Sequence, residues 1–225
     1  MTPDPSSPGP LPAGQWPRPR ALLLDAMGTL IGLRSSIGST YASLAANHGL
    51  QVEAEAIDRA FPAVYRAAPA LAFPGLEGQE LERAERQWWA QRIDAVLVAA
   101  GASPGPPALH RNLFDRFSDP DLWRVYDDVP AQLELWWDQG LRLAVVSNFD
   151  QRLHGLLSGL GLSRWIEQVV ISSRAGAAKP SARPFQQALQ ALDLSADQAW
   201  HIGDSPEDAT GAAAAGIRCL IVQRS

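Results

Sequence analysis

Two textures alternate along this chain. The first is the short unbroken apolar run closed by a polar residue. Ala21-Leu22-Leu23-Leu24 ends at Asp25, Leu143-Ala144-Val145-Val146 ends at Ser147, and Trp200-His201-Ile202 ends at Gly203-Asp204. Val169-Val170-Ile171 and Cys219-Leu220-Ile221-Val222 are runs of the same kind. Such runs mark strands covered on both faces, as in parallel sheets. The intervening stretches at roughly 151–159, 182–192 and 207–215 predict helices. Strands alternating with helices predict an α/β, Rossmann-like parallel sheet flanked by helices, because parallel neighbours need crossovers.

The second texture runs from about Leu33 to Trp123. Alanine, glutamate, arginine and glutamine dominate it. Leu81, Ala84, Trp88, Ala95 and Val98 fall at helical spacing, and Gly101 is a stop signal. This block predicts several helices and no sheet. The expected organisation is therefore a core of residues 20–32 and 124–225, interrupted by a helical cap of residues 33–123. Residues 1–19 hold seven prolines and few apolar residues, so a disordered tail is expected there.

Composition narrows the class. The chain has 225 residues, 46% of them apolar, enough for a core domain carrying an insertion. A net charge of −5 argues against a nucleic-acid partner. Cys219 is the only cysteine, so no intrachain disulfide can form and a reducing, cytoplasmic setting is expected. No apolar run approaches the ~20 residues that span a bilayer, and no secretory leader or membrane partner is expected.

Ligands of open parallel sheets bind outside the carboxyl ends of the strands. Asp25, Ser147, Asn148 and Asp204 lie there; Lys179 sits in a loop before a helix, and Asp208 one turn beyond Asp204. Each has a plain structural reading. Asp25 could open a turn, Ser147 could cap a helix, Lys179 could be solvated, and Asp204 and Asp208 could offset a helix dipole. None of these readings requires the set to gather at one sheet edge. Lys179 is moreover the only lysine in the chain.

These residues fall into four ordered motifs: Leu24-Asp25-Ala26-Met27-Gly28-Thr29-Leu30, Val146-Ser147-Asn148, Lys179-Pro180 with Phe185, and Gly203-Asp204-Ser205-Pro206-Glu207-Asp208 followed by Gly211-Ala212. Together they resemble the haloacid dehalogenase-like hydrolases, in the branch with a helical cap after the first motif. The resemblance implies a hydrolase, most plainly a Mg²⁺-dependent phosphatase of a small phosphorylated substrate, acting as a monomer or homodimer. Asp25 would be the nucleophile and form an aspartyl-phosphate. Ser147 and Lys179 would hold the phosphoryl group, with Thr29 and Asn148 also on the substrate side. Asp25, Asp204 and the main-chain carbonyl of Met27 would bind the metal, with Asp208 joining that set from behind or through water.

One position departs from the pattern. Phosphatases of this family place a second aspartate two residues after the nucleophile, as general acid and base; here Met27 stands there. General acid–base catalysis is typically worth ~10²–10⁴-fold. Three readings follow: a leaving group that departs unprotonated, such as an acyl or aryl oxygen; dehalogenation at carbon; or phosphate binding without turnover. The dehalogenases resemble this chain in lacking that aspartate, but they use no metal and carry an uncharged residue where Asp204 stands. Asp150 is a conceivable substitute acid. Trp88-Trp89 places one ring either in the cap core or toward the cleft, His201 reads as a packed core histidine, and Arg59 and Arg66 could face either substrate or solvent.

Overall fold

The computed structural model describes residues 18–224. The predicted tail lies outside them as far as residue 17. Its last two residues are a correction: Pro19 is buried, and Arg18 Nη2 donates to Gln139 Oε1 at 3.1 Å.

The core sheet is built from β1 (Ala21–Leu24), β4 (Arg142–Ser147), β5 (Gln168–Ile171), β6 (Ala199–Gly203) and β7 (Arg218–Ile221), in the order β5-β4-β1-β6-β7. All four pairings are parallel. Side chains alternate across a strand, so each apolar run feeds two cores. Leu22 and Leu24 of β1 join Leu143 and Val145 of β4 on one face; Ala21 and Leu23 join Ala144 and Val146 on the other. Helices cover both faces: α5 (Val129–Asp138) and α6 (Arg152–Gly159) on the first, α8 (Arg183–Ala191) and α9 (Pro206–Ala214) on the second. A four-residue helix, α7 (Ser172–Ala175), follows β5.

The cap helices are α1 (Ile37–Ala46), α2 (Ala54–Arg66), α3 (Gly78–Ala99) and α4 (Pro107–Arg116). They close their own core around Tyr41, Ile57, Ile93, Leu97, Leu109 and Leu113. The expectation of no sheet in this block fails at its rims. β2 (Ile31–Leu33) pairs antiparallel with β3 (Trp123–Val125), so the chain enters and leaves the cap through one two-stranded ribbon. Among the described residues no helix is long and apolar enough to cross a membrane.

Candidate active site

β1 lies between β4 and β6, so their carboxyl ends bring Ser147 and Asp204 to either side of Asp25. The Asp25 amide donates to Ile202 O at 2.9 Å, which carries the β1–β6 ladder into the site. Lys179 arrives from the loop before α8. Its Nζ donates to Asp25 Oδ1 at 2.5 Å, Asp208 Oδ1 at 2.6 Å and Val146 O at 3.1 Å. All three donor sites of the ammonium are thus filled, and Lys179 is buried, not a solvated surface lysine. Burial alone would lower its pKa, but the charges of Asp25 and Asp208 more than offset this and raise it.

Asn148 borders the cavity, and its carboxamide is bonded to the Lys179 backbone. Its Oδ1 accepts from Lys179 N at 2.7 Å and its Nδ2 donates to Lys179 O at 3.0 Å. The carboxamide therefore clamps the lysine backbone. The Thr29 hydroxyl donates to Asp204 Oδ1 at 3.3 Å and steadies that acid.

Asp208 accepts from four donors. Oδ1 receives Lys179 Nζ and, at 2.8 Å, His201 Nε2; Oδ2 receives Ser205 N at 3.1 Å and Ser205 Oγ at 2.6 Å. The Ser205–Asp208 bonds form a capping box that starts α9. Asp208 therefore starts the helix and at the same time meets Lys179. Burial would raise its carboxyl, but the bonds from His201, Lys179 and Ser205 hold it far below its ordinary value. His201 is fully buried as expected, and its second nitrogen lies 2.8 Å from Leu23 O.

One oxygen from each of Asp25, Asp204 and Asp208 lies within 4.8 Å of the others. Asp204 is the exposed member; partial desolvation and the charges of Asp25 and Asp208 push its carboxyl up. Gly28 makes this proximity possible. Its φ is +88°, and a Cβ there would sit 2.3 Å from Asp204 Oδ2. Met27 turns outward, with 43% of its surface exposed, and borders the same cleft as Asp25, Ser147 and Lys179.

The cap closes over this edge and leaves a cavity of about 840 Å³. Cap and core are joined by polar contacts. Trp89 Nε1 donates to Asp150 Oδ2 at 2.6 Å, Gln151 donates from N and Nε2 to Glu85, and Ser172 Oγ donates to Leu71 O at 2.7 Å. Asp150 is fully buried and also accepts Arg152 N, Nε and Nη2. It is an anchor for Arg152 and Trp89, not a spare acid. Trp88 is buried and donates to Pro69 O at 3.0 Å, while Trp89 borders the cavity and takes part in the cap–core joint. Arg66 lines the cavity, and Arg59 is not among its lining residues. Two further lining residues were not legible in the sequence: Phe61 and Tyr65, one turn apart on α2.

Comparison with known proteins agrees with this geometry. A family model described as haloacid dehalogenase-like hydrolase matches residues 19–216. Haloacid dehalogenase-like hydrolase domain-containing protein 3 of Homo sapiens is 37% identical over 206 residues, covering 90% of this chain and 81% of its own. A plasmid-encoded phosphoglycolate phosphatase of Cupriavidus necator is 34% identical over 151 residues, 67% of this chain and 60% of its own. The fold is shared with a magnesium-bound structure of YfnB from Bacillus subtilis, at a TM-score of 0.68 and 19% identity, over 90% of this chain and 86% of that one.

Proposed function

The chain belongs to the haloacid dehalogenase-like hydrolase family, and from that premise we propose that it is a Mg²⁺-dependent phosphatase acting through an aspartyl-phosphate on Asp25. The observation that carries this reading is the pairing of Lys179 Nζ with Asp25 Oδ1 at 2.5 Å inside a cluster of three carboxylates.

The donor set fits a hard cation. Lys179 pairs with Asp25 and Asp208 but not with Asp204, whose carboxyl is pushed up by partial desolvation and by the charges of the other two acids. Hard divalent ions take carboxylate and carbonyl oxygens, and magnesium commonly uses one or two carboxylates plus substrate phosphate. Asp25 and Asp204 would hold the ion with the Met27 carbonyl. Asp208, whose oxygens already accept four donors, supports the site from behind. Bound there, the ion offsets the negative charge of the phosphoryl group and its nucleophile.

The chain's own residues supply the rest. Lys179 fixes one oxygen of Asp25 and presents positive charge at the reacting edge. Asn148 holds the lysine backbone, and Asp208 with His201 holds its head group. Ser147, at the end of β4 and on the cavity wall, is placed to donate to a phosphoryl oxygen. The cap roofs the reacting edge and supplies the upper wall of the cavity. A dehalogenase reading is disfavoured by Asp204, whose charge opposes an anionic haloacid beside Asp25.

The test is release of inorganic phosphate from p-nitrophenyl phosphate and acetyl phosphate with and without Mg²⁺, beside chloride release from 2-chloropropionate. Metal-dependent phosphate release, abolished in Asp25→Asn, is the expected result. Chloride release without metal, or phosphate binding with no turnover of either phosphate substrate, overturns the reading.

A further inference from the structure

We propose, resting on the phosphatase reading above, that the substrate is an aryl phosphate: the cavity stacks an aromatic ring against the cap while its phosphate meets Asp25. Two independent features point to the same chemistry.

The first is the wall of the cavity. Its floor is polar, with Asp25, Ser147, Lys179 and Asp204, whereas its upper wall is aromatic, with Phe61, Tyr65, Trp88, Trp89 and Phe114. Tyr65 is the hub. It stacks on Phe61 with centroids 5.8 Å apart and planes 13° apart, meets Trp88 edge-on at 5.9 Å, and lies tilted against Trp89 at 6.3 Å. Yet 37% of Tyr65 remains exposed. The exposed remainder extends an aromatic cluster into open space, the surface on which a ring completes the stack. The neighbouring cation Arg152 does not compete for substrate phosphate. It is engaged by Asp150 and by Phe114 O at 3.0 Å, and its guanidinium lies 3.9 Å from the Phe114 centroid.

The second feature is the missing proton donor. Met27 has none, and both oxygens of Asp150 are taken by Arg152 and Trp89. Burial and the charges of Asp150 and Asp25 push the Tyr65 phenol above its ordinary pKa, so it is a poor acid near neutrality. None of these three side chains replaces the motif acid, so an oxygen that is stable as an anion departs most readily. Phosphoryl transfer passes through a loose transition state that places much of the charge on that oxygen. A phenol ionises near pH ~10, whereas an alkanol is close to water, ~16. An aryl ester removes the need for the acid that Met27 has displaced.

The step balances. An oxygen of Asp25 forms a bond to phosphorus as the phosphorus–aryl oxygen bond breaks. The aryloxide leaves with the electron pair and takes a proton from bulk water. Water then attacks phosphorus, the phosphorus–Asp25 bond breaks, and phosphate leaves with the carboxylate restored. No side chain at position 27 activates that water, so the second step is the slower one and phosphoenzyme accumulates.

The experiment uses the intact protein with Mg²⁺. Substrates are phenyl and p-nitrophenyl phosphate, glycerol phosphate, acetyl phosphate, and an alkyl phosphate whose electron-withdrawing group brings its alcohol near a phenol's acidity. Aryl esters are expected to exceed glycerol phosphate in kcat/KM by at least ~100-fold. They are also expected to show a lower KM than the acidified alkyl ester by about two- to twelve-fold, the value of one aromatic contact. Rapid mixing with p-nitrophenyl phosphate should give a burst of nitrophenol near one equivalent per site. Tyr65→Leu should narrow the aryl-to-acidified-alkyl ratio; Phe61→Leu serves if that variant does not fold. Acetyl phosphate turnover with no aryl advantage in KM over the acidified alkyl ester overturns the aryl assignment and leaves the phosphatase reading standing. No turnover of any of these phosphates overturns both.

Discussion

Met27→Asp tests the account of the displaced acid most directly. The backbone around position 27 is set by bonds that do not involve its side chain. Ala26 O accepts from Thr29, Leu30 and Ile31 N at 3.3, 2.8 and 2.9 Å, and Gly28 N donates to Ile31 O at 2.9 Å. The methionine side chain is exposed at the cleft. The backbone should therefore accept the exchange, and its cost comes from placing a further carboxyl beside Asp25 and Asp204. The new carboxyl would stand beside Asp25 and Asp204, whose charges favour its protonated form, the form a general acid needs. Proton donation is worth ~10²–10⁴-fold, which is ~2.7–5.4 kcal/mol of barrier. For glycerol phosphate that gain should appear in kcat/KM. For p-nitrophenyl phosphate, whose leaving oxygen needs no proton, the gain in the first step should be far smaller, and the nitrophenol burst should shrink as the second step speeds up. Steady-state and rapid-mixing kinetics of the two esters read both effects. A variant that folds, binds Mg²⁺ and shows no gain on the alkyl ester would refute the reasoning.

Two further outcomes follow from the geometry. Gly28→Ala puts a Cβ at positive φ and against Asp204, so it should cost at least ~1–2 kcal/mol in urea denaturation and weaken Mg²⁺ binding by calorimetry. Asp208→Asn removes the carboxylate facing Lys179 and should cost about 3 kcal/mol near neutral pH, the low end for a broken buried pair because Asp25 still faces the lysine. The Asp208 carboxyl is depressed in the folded protein, so its contribution is present above the unfolded value of ~3.9 and is lost as pH falls toward the lower folded value. Urea midpoints measured between pH 6 and pH 2 should therefore fall less steeply in Asp208→Asn than in the parent.

β1, β4 and β6 were legible because they are buried on both faces and read as almost wholly apolar runs; β5 and β7, at the sheet edges, kept such runs although they are partly exposed. The parallel strand ends then made Asp25, Ser147 and Asp204 legible as neighbours. β2 and β3 were not, because three residues are too few to display a period. Asn148 and Thr29 were recognised as site residues, but not their partners, since Asn148 meets the backbone of a residue 31 positions away and Thr29 meets one 175 positions away. His201 looked like packing alone; its bond to Asp208 exists only once β6 and α9 fold against each other. Phe61 and Tyr65 show helical spacing, but which way that stripe faces depends on how α2 docks, and no local pattern encodes docking.

The ribbon of β2 and β3 has a consequence for descent. Ile31 lies opposite Val125 and Leu33 opposite Trp123, so everything between them hangs from two adjacent points. Evolution can lengthen, shorten or exchange such a cassette while the nucleophile, a few residues upstream, keeps its place. Chemistry and selectivity are in this way inherited on separate stretches of one gene, and new preferences can arise without disturbing the apparatus that breaks the bond.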